Sequence, residues 1–299
     1  MNLSKLSLWI IILLLLITNI FTLFFHKDNG NEVERIVFKE TSGPLATVNG
    51  KEISREDVLQ RLMNDYGTST LINLINEEVV FSLAEKNSLV IEDKIVDREL
   101  SNLLVMQGLL EEDEKSELLD GWERGIKYRY FLQQLLTKDI QIDDKEIEQY
   151  YNNYKNQYNF EQRVQLSHIV VPSIEIAEKV FDELESGKSF ASAAQQYSID
   201  DSGANGGYLG FYSKTSSFIP EEYFEQAIQL ERDSYSDAIE TNQGIAIIYV
   251  HENLPAITLT LEEVYHEVKQ DLALERLEQD VNAANLWDQL EVETVIDDD

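Results

Sequence analysis

The chain has 299 residues, 43% of them hydrophobic, so it is long enough for two packed domains with real cores. Its 56 acidic residues outnumber 24 basic ones and give a net charge of −32, which disfavours nucleic acid as a partner because phosphate backbones would be repelled. The sequence contains no cysteine, which excludes disulfides, thiolate metal sites and a cysteine nucleophile.

The N-terminus carries eighteen residues without a charge, from Leu8 to Phe25. This length is in the lower range for crossing a bilayer. Lys5 precedes the run, so the positive-inside rule places the N-terminus in the cytoplasm. A cleaved signal peptide is the alternative, but no small-x-small site follows Phe25. We therefore expect a membrane anchor within residues 1–26, a polar tether over 27–43 and the bulk of the chain outside the cell membrane.

The next segment, residues 44–160, has the pattern of a helical domain. Asn49-Gly50 predicts a two-residue hairpin turn, and Ser54 is a good N-cap for a helix that starts directly after it. Apolar residues then recur at helical spacing. The segment contains no His, Asp or Glu cluster with metal-ligand spacing and no glycine-rich phosphate loop, so the sequence predicts neither a metal nor a cofactor.

Strand alternation begins near Arg163 and opens a different module over residues 161–253. His168 falls on one apolar face of this strand. Ser173 and Ser189 are candidate caps of two helices, Pro220 starts a third, and strands are predicted near 236–241 and 244–250. The order describes a compact α+β module.

The last segment, residues 254–299, predicts an amphipathic helix over 261–290 and an acidic tail. We expect this helix to pack on the earlier helical domain. The α+β module would then be an insertion within one helical unit.

Four blocks in the module carry a family resemblance: QLSHIVV, SFASAAQQYSIDDSGANGGYLGFY, IPEEYFEQAIQL and NQGIAIIYV. In this order they resemble the parvulin-type peptidyl-prolyl cis-trans isomerase domain, and ATVNGKEIS resembles the start of the PrsA and SurA types of foldase. With its N-terminal apolar run, the chain is similar to the membrane-anchored parvulin foldases of Gram-positive bacteria. The resemblance implies an α+β fold in which a parvulin-like domain, an antiparallel sheet with flanking helices, is inserted in an α-helical foldase domain after one transmembrane helix.

The function implied by the resemblance is peptidyl-prolyl cis-trans isomerisation and assisted folding at the outer face of the cell membrane. Its partners would be unfolded or nascent secreted proteins that contain X-Pro bonds, and the chemistry needs no cofactor. The alternative is a non-catalytic, membrane-tethered chaperone whose parvulin domain is degenerate. The sequence does not indicate an oligomeric state.

The resemblance also implies the site residues. His168 and Asp200 would be catalytic, and Leu209, Phe218 and Phe224 would form the pocket for the proline ring. The alternatives are a structural histidine, a solvated loop acid and three ordinary core residues.

Two residues depart from the family pattern. Tyr208 replaces the usual aspartate of the Gly-Gly-Asp-Leu-Gly block, and Ala246 stands where the family commonly carries a second histidine. His251 cannot easily substitute, because it is five residues further along a period-two strand and so faces the other side of the sheet. The activity would therefore be weakened if the histidine pair is important.

Overall fold

The computed structural model describes residues 43–294. The α-helices are α1 (Arg55–Lys86), α2 (Asp93–Val105), α3 (Glu112–Thr137), α4 (Asp144–Tyr154), α5 (Ile174–Glu185), α6 (Phe190–Tyr197), α7 (Glu221–Ala227) and α8 (Leu261–Leu274). The strands are β1 (Ala46–Val48), β2 (Lys51–Ile53), β3 (Arg163–Val171), β4 (Tyr208–Ser213), β5 (Ser234–Tyr235), β6 (Ile239–Thr241) and β7 (Gly244–Leu254). The predicted anchor and almost all of the tether lie outside the described residues, and no helix within 43–294 is long and apolar enough to cross a membrane.

The chain divides into two compact units, one ending at Ser69 and one beginning at Thr70. In the described part of the first unit, β1 and β2 pair antiparallel. Asn49 and Gly50 have φ of 51° and 79°, so the predicted hairpin turn is confirmed. Ser54 and Asp57 cap α1 reciprocally, since the Asp57 amide donates to Ser54 Oγ and the Ser54 amide donates to Asp57 Oδ2.

The helical part of the second unit has two apolar clusters. One joins α2, α3, α4 and α8 through buried side chains such as Ile147 and Val268. The other joins α1 and α3 to a short 3-10 helix, Ala283–Gln289, through Val80 and Leu286. The predicted helix over 261–290 is therefore too long, because α8 ends at Leu274 and only a 3-10 turn follows near the C-terminus.

The sheet of the second unit is antiparallel throughout, with the order β4-β3-β7-β5 and with β6 also paired to β7. β3 lies inside the sheet between β4 and β7, and all its residues after Arg163 are buried. In its register with β7, His168 lies opposite Ile248 and Val170 lies opposite Ala246. The alternation of a strand thus puts His168 and Ala246 on one face of the sheet.

The helices divide between the two faces. α5 and α6 pack against Ile169, Val171 and Ile247, and α7 packs against the opposite face, which contains Val170 and Ile248. Where one strand was predicted over 236–241, the structure has two short strands, β5 and β6. Ser236 lies between them, and its hydroxyl accepts from the Ile248 amide of β7. The coarse prediction of a mixed fold of helices and an antiparallel sheet is confirmed.

Candidate functional site

A cavity of about 790 Å³ opens on the face of the sheet that carries His168. Its walls come from β3, the start of a 3-10 helix, β4, the connection to α7, the first turn of α7 and the β6–β7 turn. The lining residues are His168, Asp200, Leu209, Tyr212, Ser217, Phe218, Ile219, Pro220, Glu222, Tyr223, Glu240, Thr241, Asn242 and Gln243. Four of the five predicted site residues are in this set, so the fold brings them together from separate elements.

A second crevice, of about 330 Å³, has a different location. It is lined by the α2–α3 connection and by residues such as Phe211, Arg232 and His251. None of the predicted site residues lines it. The His168 cavity is therefore the candidate site.

His168 is buried at the floor of the cavity and both of its ring nitrogens have partners. Tyr223 Oη lies 3.1 Å from Nδ1, and Asp200 Oδ1 and Ser202 Oγ each lie 3.0 Å from Nε2. A carboxylate can only accept, so Nε2–H donates to Asp200, and in the neutral ring Nδ1 accepts from the Tyr223 hydroxyl. The imidazole is thus fixed in one tautomer and one orientation.

Asp200 is the N-cap of the 3-10 helix Asp201–Asn205. Its Oδ1 accepts from the Ser202 amide at 2.9 Å. The Ser202 contacts, together with the His168 hydrogen bond, outweigh burial and lower the pKa of the Asp200 carboxyl to about 2. At neutral pH the site therefore contains a fixed negative charge at the cavity floor.

Gly207, directly before β4, allows the backbone to lie close to His168. The His168 amide donates to the Gly207 carbonyl at 2.8 Å, and a Cβ added to Gly207 would lie 2.1 Å from the His168 carbonyl oxygen. Gly207 also has φ of 78°, which favours glycine. A larger residue here would push β4 away from the floor of the cavity.

Leu209 reaches the cavity from an irregularity in β4. The register with β3 shifts between Leu166 and Ser167, so that Gly210 and Tyr208 are the paired residues and Leu209 is the extra one. The Tyr212 hydroxyl donates to the Leu209 carbonyl at 3.1 Å and helps to hold this bulge. The bulge directs the leucine side chain into the wall of the cavity.

The two predicted phenylalanines differ in location. Phe218 lies at the rim of the cavity and is 89% exposed. Phe224 does not line the cavity but is packed in the core between α7 and the sheet, with only 5% of its surface exposed. The aromatic residue that α7 contributes to the cavity lining is Tyr223, and the role of Phe224 in the pocket stays a prediction.

Tyr223 was missed by the sequence reasoning. Burial, and to a smaller extent the charge of Asp200, raises the pKa of its hydroxyl, so it remains a donor at neutral pH. Pro220 is the N-cap of α7 rather than its first residue, and both Tyr223 and Phe224 are buried on the helix. Adjacent helical residues point about 100° apart, so the two aromatic side chains have different neighbours, and Tyr223 is the one that lines the cavity.

Among the described residues, no group of three or more His, Asp or Glu side chains could hold a metal ion. The network of His168, Asp200, Ser202 and Tyr223 consists of hydrogen bonds whose donors and acceptors match each other. Such an arrangement can orient a polar group and present negative charge, and it has the apolar side chains of Leu209 and Phe218 beside it. It is suited to binding a partly apolar chain.

Comparison with known proteins decides the family. The model of the PPIC-type PPIASE domain matches residues 142–266. YacD of Bacillus subtilis (strain 168), which is named as a peptidyl-prolyl cis-trans isomerase, is 37% identical over 250 residues that cover 83% of this chain and 84% of YacD. The chain belongs to the PPIC-type peptidyl-prolyl isomerase family. The foldase protein PrsA of Halalkalibacterium halodurans is 30% identical over 237 residues, which cover 75% of this chain and 68% of that protein.

Among solved structures, the crystal structure of PrsA from Bacillus subtilis aligns with this chain at 22% sequence identity and a TM-score of 0.31. The alignment covers 87% of this chain and 96% of the PrsA chain. The resemblance to parvulin-type foldases is thus confirmed by the curated relatives. The PPIC-type match also includes α4 and the start of α8, on either side of the sheet.

Ala246, which the sequence resemblance places where the family commonly carries a second histidine, adds only a methyl group to the face of the sheet that carries His168. Ala246 is fully buried, pairs with Val170 and Ile239, and belongs to the apolar cluster under α7. Nδ1 of His168 nevertheless has a partner, because the Tyr223 hydroxyl reaches it from α7.

His251, a histidine within β7, lies on the other face of the sheet from His168. His251 Nε2 is 2.7 Å from Ser167 Oγ, and its ring lies against Tyr208 and Tyr249. Burial lowers the pKa of His251 to about 4, so the ring is neutral at physiological pH. The prediction that His251 faces the other side of the sheet from His168 is confirmed by its contacts.

Proposed function

We propose that the protein is a membrane-tethered peptidyl-prolyl cis-trans isomerase and foldase that acts on secreted chains containing X-Pro bonds. The observation that supports this most directly is the His168–Asp200–Tyr223 network on the floor of a cavity that Leu209 and Phe218 also line, in a chain of the PPIC-type family. The name of the relative YacD gives the same activity.

The chemistry requires no nucleophile. Rotation about the X–Pro bond faces a barrier of roughly 18–20 kcal/mol from amide resonance. A site lowers this barrier by binding the twisted amide more tightly than either planar form. Apolar walls that hold the proline ring and keep water from the carbonyl serve this purpose, and fixed charges and dipoles can complement the twisted amide.

In this proposal each residue has a defined part. Leu209 and Phe218 bind the proline ring and its flank, and Asp200 places a negative charge beside the carbonyl that rotates. His168 touches the reacting amide from the floor, and Tyr223 positions the His168 ring through Nδ1. Phe224 completes the pocket from the core, in the apolar cluster against which Leu209 packs.

The location and the domain division belong to the same proposal. The run from Leu8 to Phe25 anchors the chain with its N-terminus in the cytoplasm, and residues 27–43 tether the rest outside. The helical domain comprises residues 44–160 together with 254–299, and the isomerase domain comprises 161–253. The clustering of α8 with α2, α3 and α4 supports this division.

A chaperone function without catalysis is the second candidate, and one observation favours it. The first unit has apolar side chains along one stripe of α1, namely Leu59, Leu62, Met63 and Tyr66, which are 53%, 49%, 65% and 62% exposed. Their spacing puts them on one helix face. An exposed apolar stripe of this kind can bind unfolded chains whatever happens at the cavity.

One refolding experiment separates the two candidates. The full-length protein is added to a client whose slow refolding phase of about 10–100 s is limited by proline isomerisation, and aggregation of the same client is followed by light scattering. We expect His168→Ala to lose acceleration of the slow phase while retaining suppression of aggregation. Met63→Asp should show the opposite pattern. An unchanged slow phase in the presence of wild-type protein, with aggregation suppressed, would support the non-catalytic chaperone instead.

A further inference from the structure

The cavity has an uneven charge. Three carboxylates line it, those of Asp200, Glu222 and Glu240, and no lysine or arginine of residues 43–294 is among its lining residues. The other polar groups on its walls are neutral hydroxyls and carboxamides together with His168. Any peptide bound here therefore meets a negative surface.

The three carboxylates come from separate parts of the fold. Asp200 caps the 3-10 helix at the floor, Glu222 lies in the first turn of α7, and Glu240 lies on β6 just before its turn to β7. Glu222 and Glu240 are both exposed and both line the cavity together with the apolar residues of its wall. They converge on one cavity, unlike an acidic run along the outer face of a single helix.

We propose that this cavity selects X-Pro bonds that have a lysine or arginine next to the proline, and that Glu222 and Glu240 supply the selectivity. The inference rests on the proposed isomerase function. A cationic side chain beside the proline would lie near these two carboxylates while the ring contacts Leu209 and Phe218. An acidic side chain in the same place would be repelled and would lose its hydration.

The expected preference is modest because the glutamates are solvent-exposed. One or two exposed ion pairs correspond to a gain of about three- to tenfold in kcat/KM. Such pairs are screened by salt, and at roughly 1 M ionic strength the screening length falls to about 3 Å. The preference should therefore disappear at high salt, whereas apolar binding of the proline ring should persist.

The test uses the full-length protein and prolyl peptides of equal length that differ at one position. Alanine, lysine or glutamate is placed directly before or directly after the proline, and kcat/KM for cis-to-trans exchange is measured at low and high salt. We expect one lysine peptide to exceed its alanine counterpart by about three- to tenfold and the matching glutamate peptide to fall below it.

Paired variants separate the cavity from the general acidity of the protein. Glu222→Gln with Glu240→Gln should bring the ratio of lysine to alanine peptides close to one. Glu178→Gln with Glu225→Gln removes the same charge from exposed positions on α5 and α7 that do not line the cavity, and should preserve the ratio. Equal loss in both double variants would overturn the assignment to Glu222 and Glu240.

The outcomes also distinguish this inference from the proposed function. Wild-type activity on the alanine peptide without any preference for lysine would contradict the selectivity and leave the isomerase function intact. Failure to accelerate exchange in any of the peptides would contradict both.

Discussion

Two buried polar networks in the described part of the protein differ in what surrounds them. In the helical part, Arg98 and Glu267 form a bidentate pair with N···O distances of 2.7 and 3.2 Å, and their side chains are 3% and 9% exposed. In the sheet, His168 and Asp200 form a pair at 3.0 Å whose carboxylate side is 27% exposed to the cavity.

The difference shows how similar groups serve different purposes. Tyr130 completes the contacts of the buried Arg98–Glu267 pair, since its hydroxyl donates to Glu267 at 2.8 Å and accepts from Arg98. This closed network of three side chains connects α2, α3 and α8. Burial on its own lowers the pKa of Arg98, but the Glu267 carboxylate raises it above its ordinary value. The His168 pair ends at an open cavity, so its charge remains available to a bound chain. The first network joins three helices, and the second borders the candidate site.

Removing one partner of the closed network gives the largest expected effect. Glu267→Ala leaves the Arg98 guanidinium buried without its carboxylate, which should destabilise the protein by about 3–5 kcal/mol. Chemical denaturation followed by circular dichroism measures this. Glu262→Ala, an exposed position in the first turn of α8, is the matched control and should change stability by less than about 0.5 kcal/mol. Similar small losses in both variants would contradict the distinction between the two networks.

A partly buried carboxyl near the closed network, that of Asp271, should also make stability depend on pH. Burial raises the pKa of Asp271 to about 6, although the Tyr158 hydroxyl donates to it at 2.8 Å and opposes the shift. Because the folded pKa is above the unfolded one of 3.8, the stabilising contribution of the protonated group is complete below about pH 4 and is lost as pH rises through 6.

Asp271→Asn tests this directly. The wild type should lose about 1–3 kcal/mol of stability between roughly pH 4.5 and 7.5 relative to the variant, as judged from urea midpoints at each pH. Asp97→Asn, a change on the exposed side of α2, should leave the pH profile of the wild type unchanged. A parallel pH dependence in wild type and Asp271→Asn would show that another group is responsible.

The smallest effect is expected from one hydroxyl of the open network. Tyr223→Phe removes the donor to His168 Nδ1 and should lower kcat/KM about tenfold, while the unfolding free energy changes by about 0.5–1.5 kcal/mol. The NMR signals of the His168 ring should also shift, since they report the tautomer. Tyr249→Phe, on the other face of the sheet, loses a hydroxyl contact with Asp233 and should retain activity. Equal activity in Tyr223→Phe and wild type would remove Tyr223 from the positioning of His168.

Local signals predicted much of this fold. Asn49-Gly50 specified a turn that few other residue pairs can adopt, and the alternation from Val164 to Val171 identified the central strand and the face of His168. The end of α8 was not predicted, because apolar spacing continues through Val281 and Trp287. Asn282 instead accepts from the Ala284 amide and starts a 3-10 turn, which competes with the helix.

The candidate site was predictable to the extent that its residues belong to recognisable family blocks. His168, Asp200 and Leu209 are in such blocks, and the cavity brings them together. Tyr223 could not be separated from Phe224, because both are buried residues of α7 and only the tertiary packing puts Tyr223 in the cavity lining. The partner of His168 is therefore a tertiary contact that the sequence pattern does not encode.

The central claim is that the open network and its cavity catalyse rotation of the prolyl bond. The most direct measurement is NMR exchange spectroscopy of an Ala-Pro peptide with full-length wild-type protein and with His168→Ala. We predict cis–trans exchange well above the uncatalysed rate with the wild type, and at least a tenfold loss, or about 1.4 kcal/mol of transition-state stabilisation, in the variant. An uncatalysed rate with the wild type, or equal acceleration by both proteins, would contradict the account.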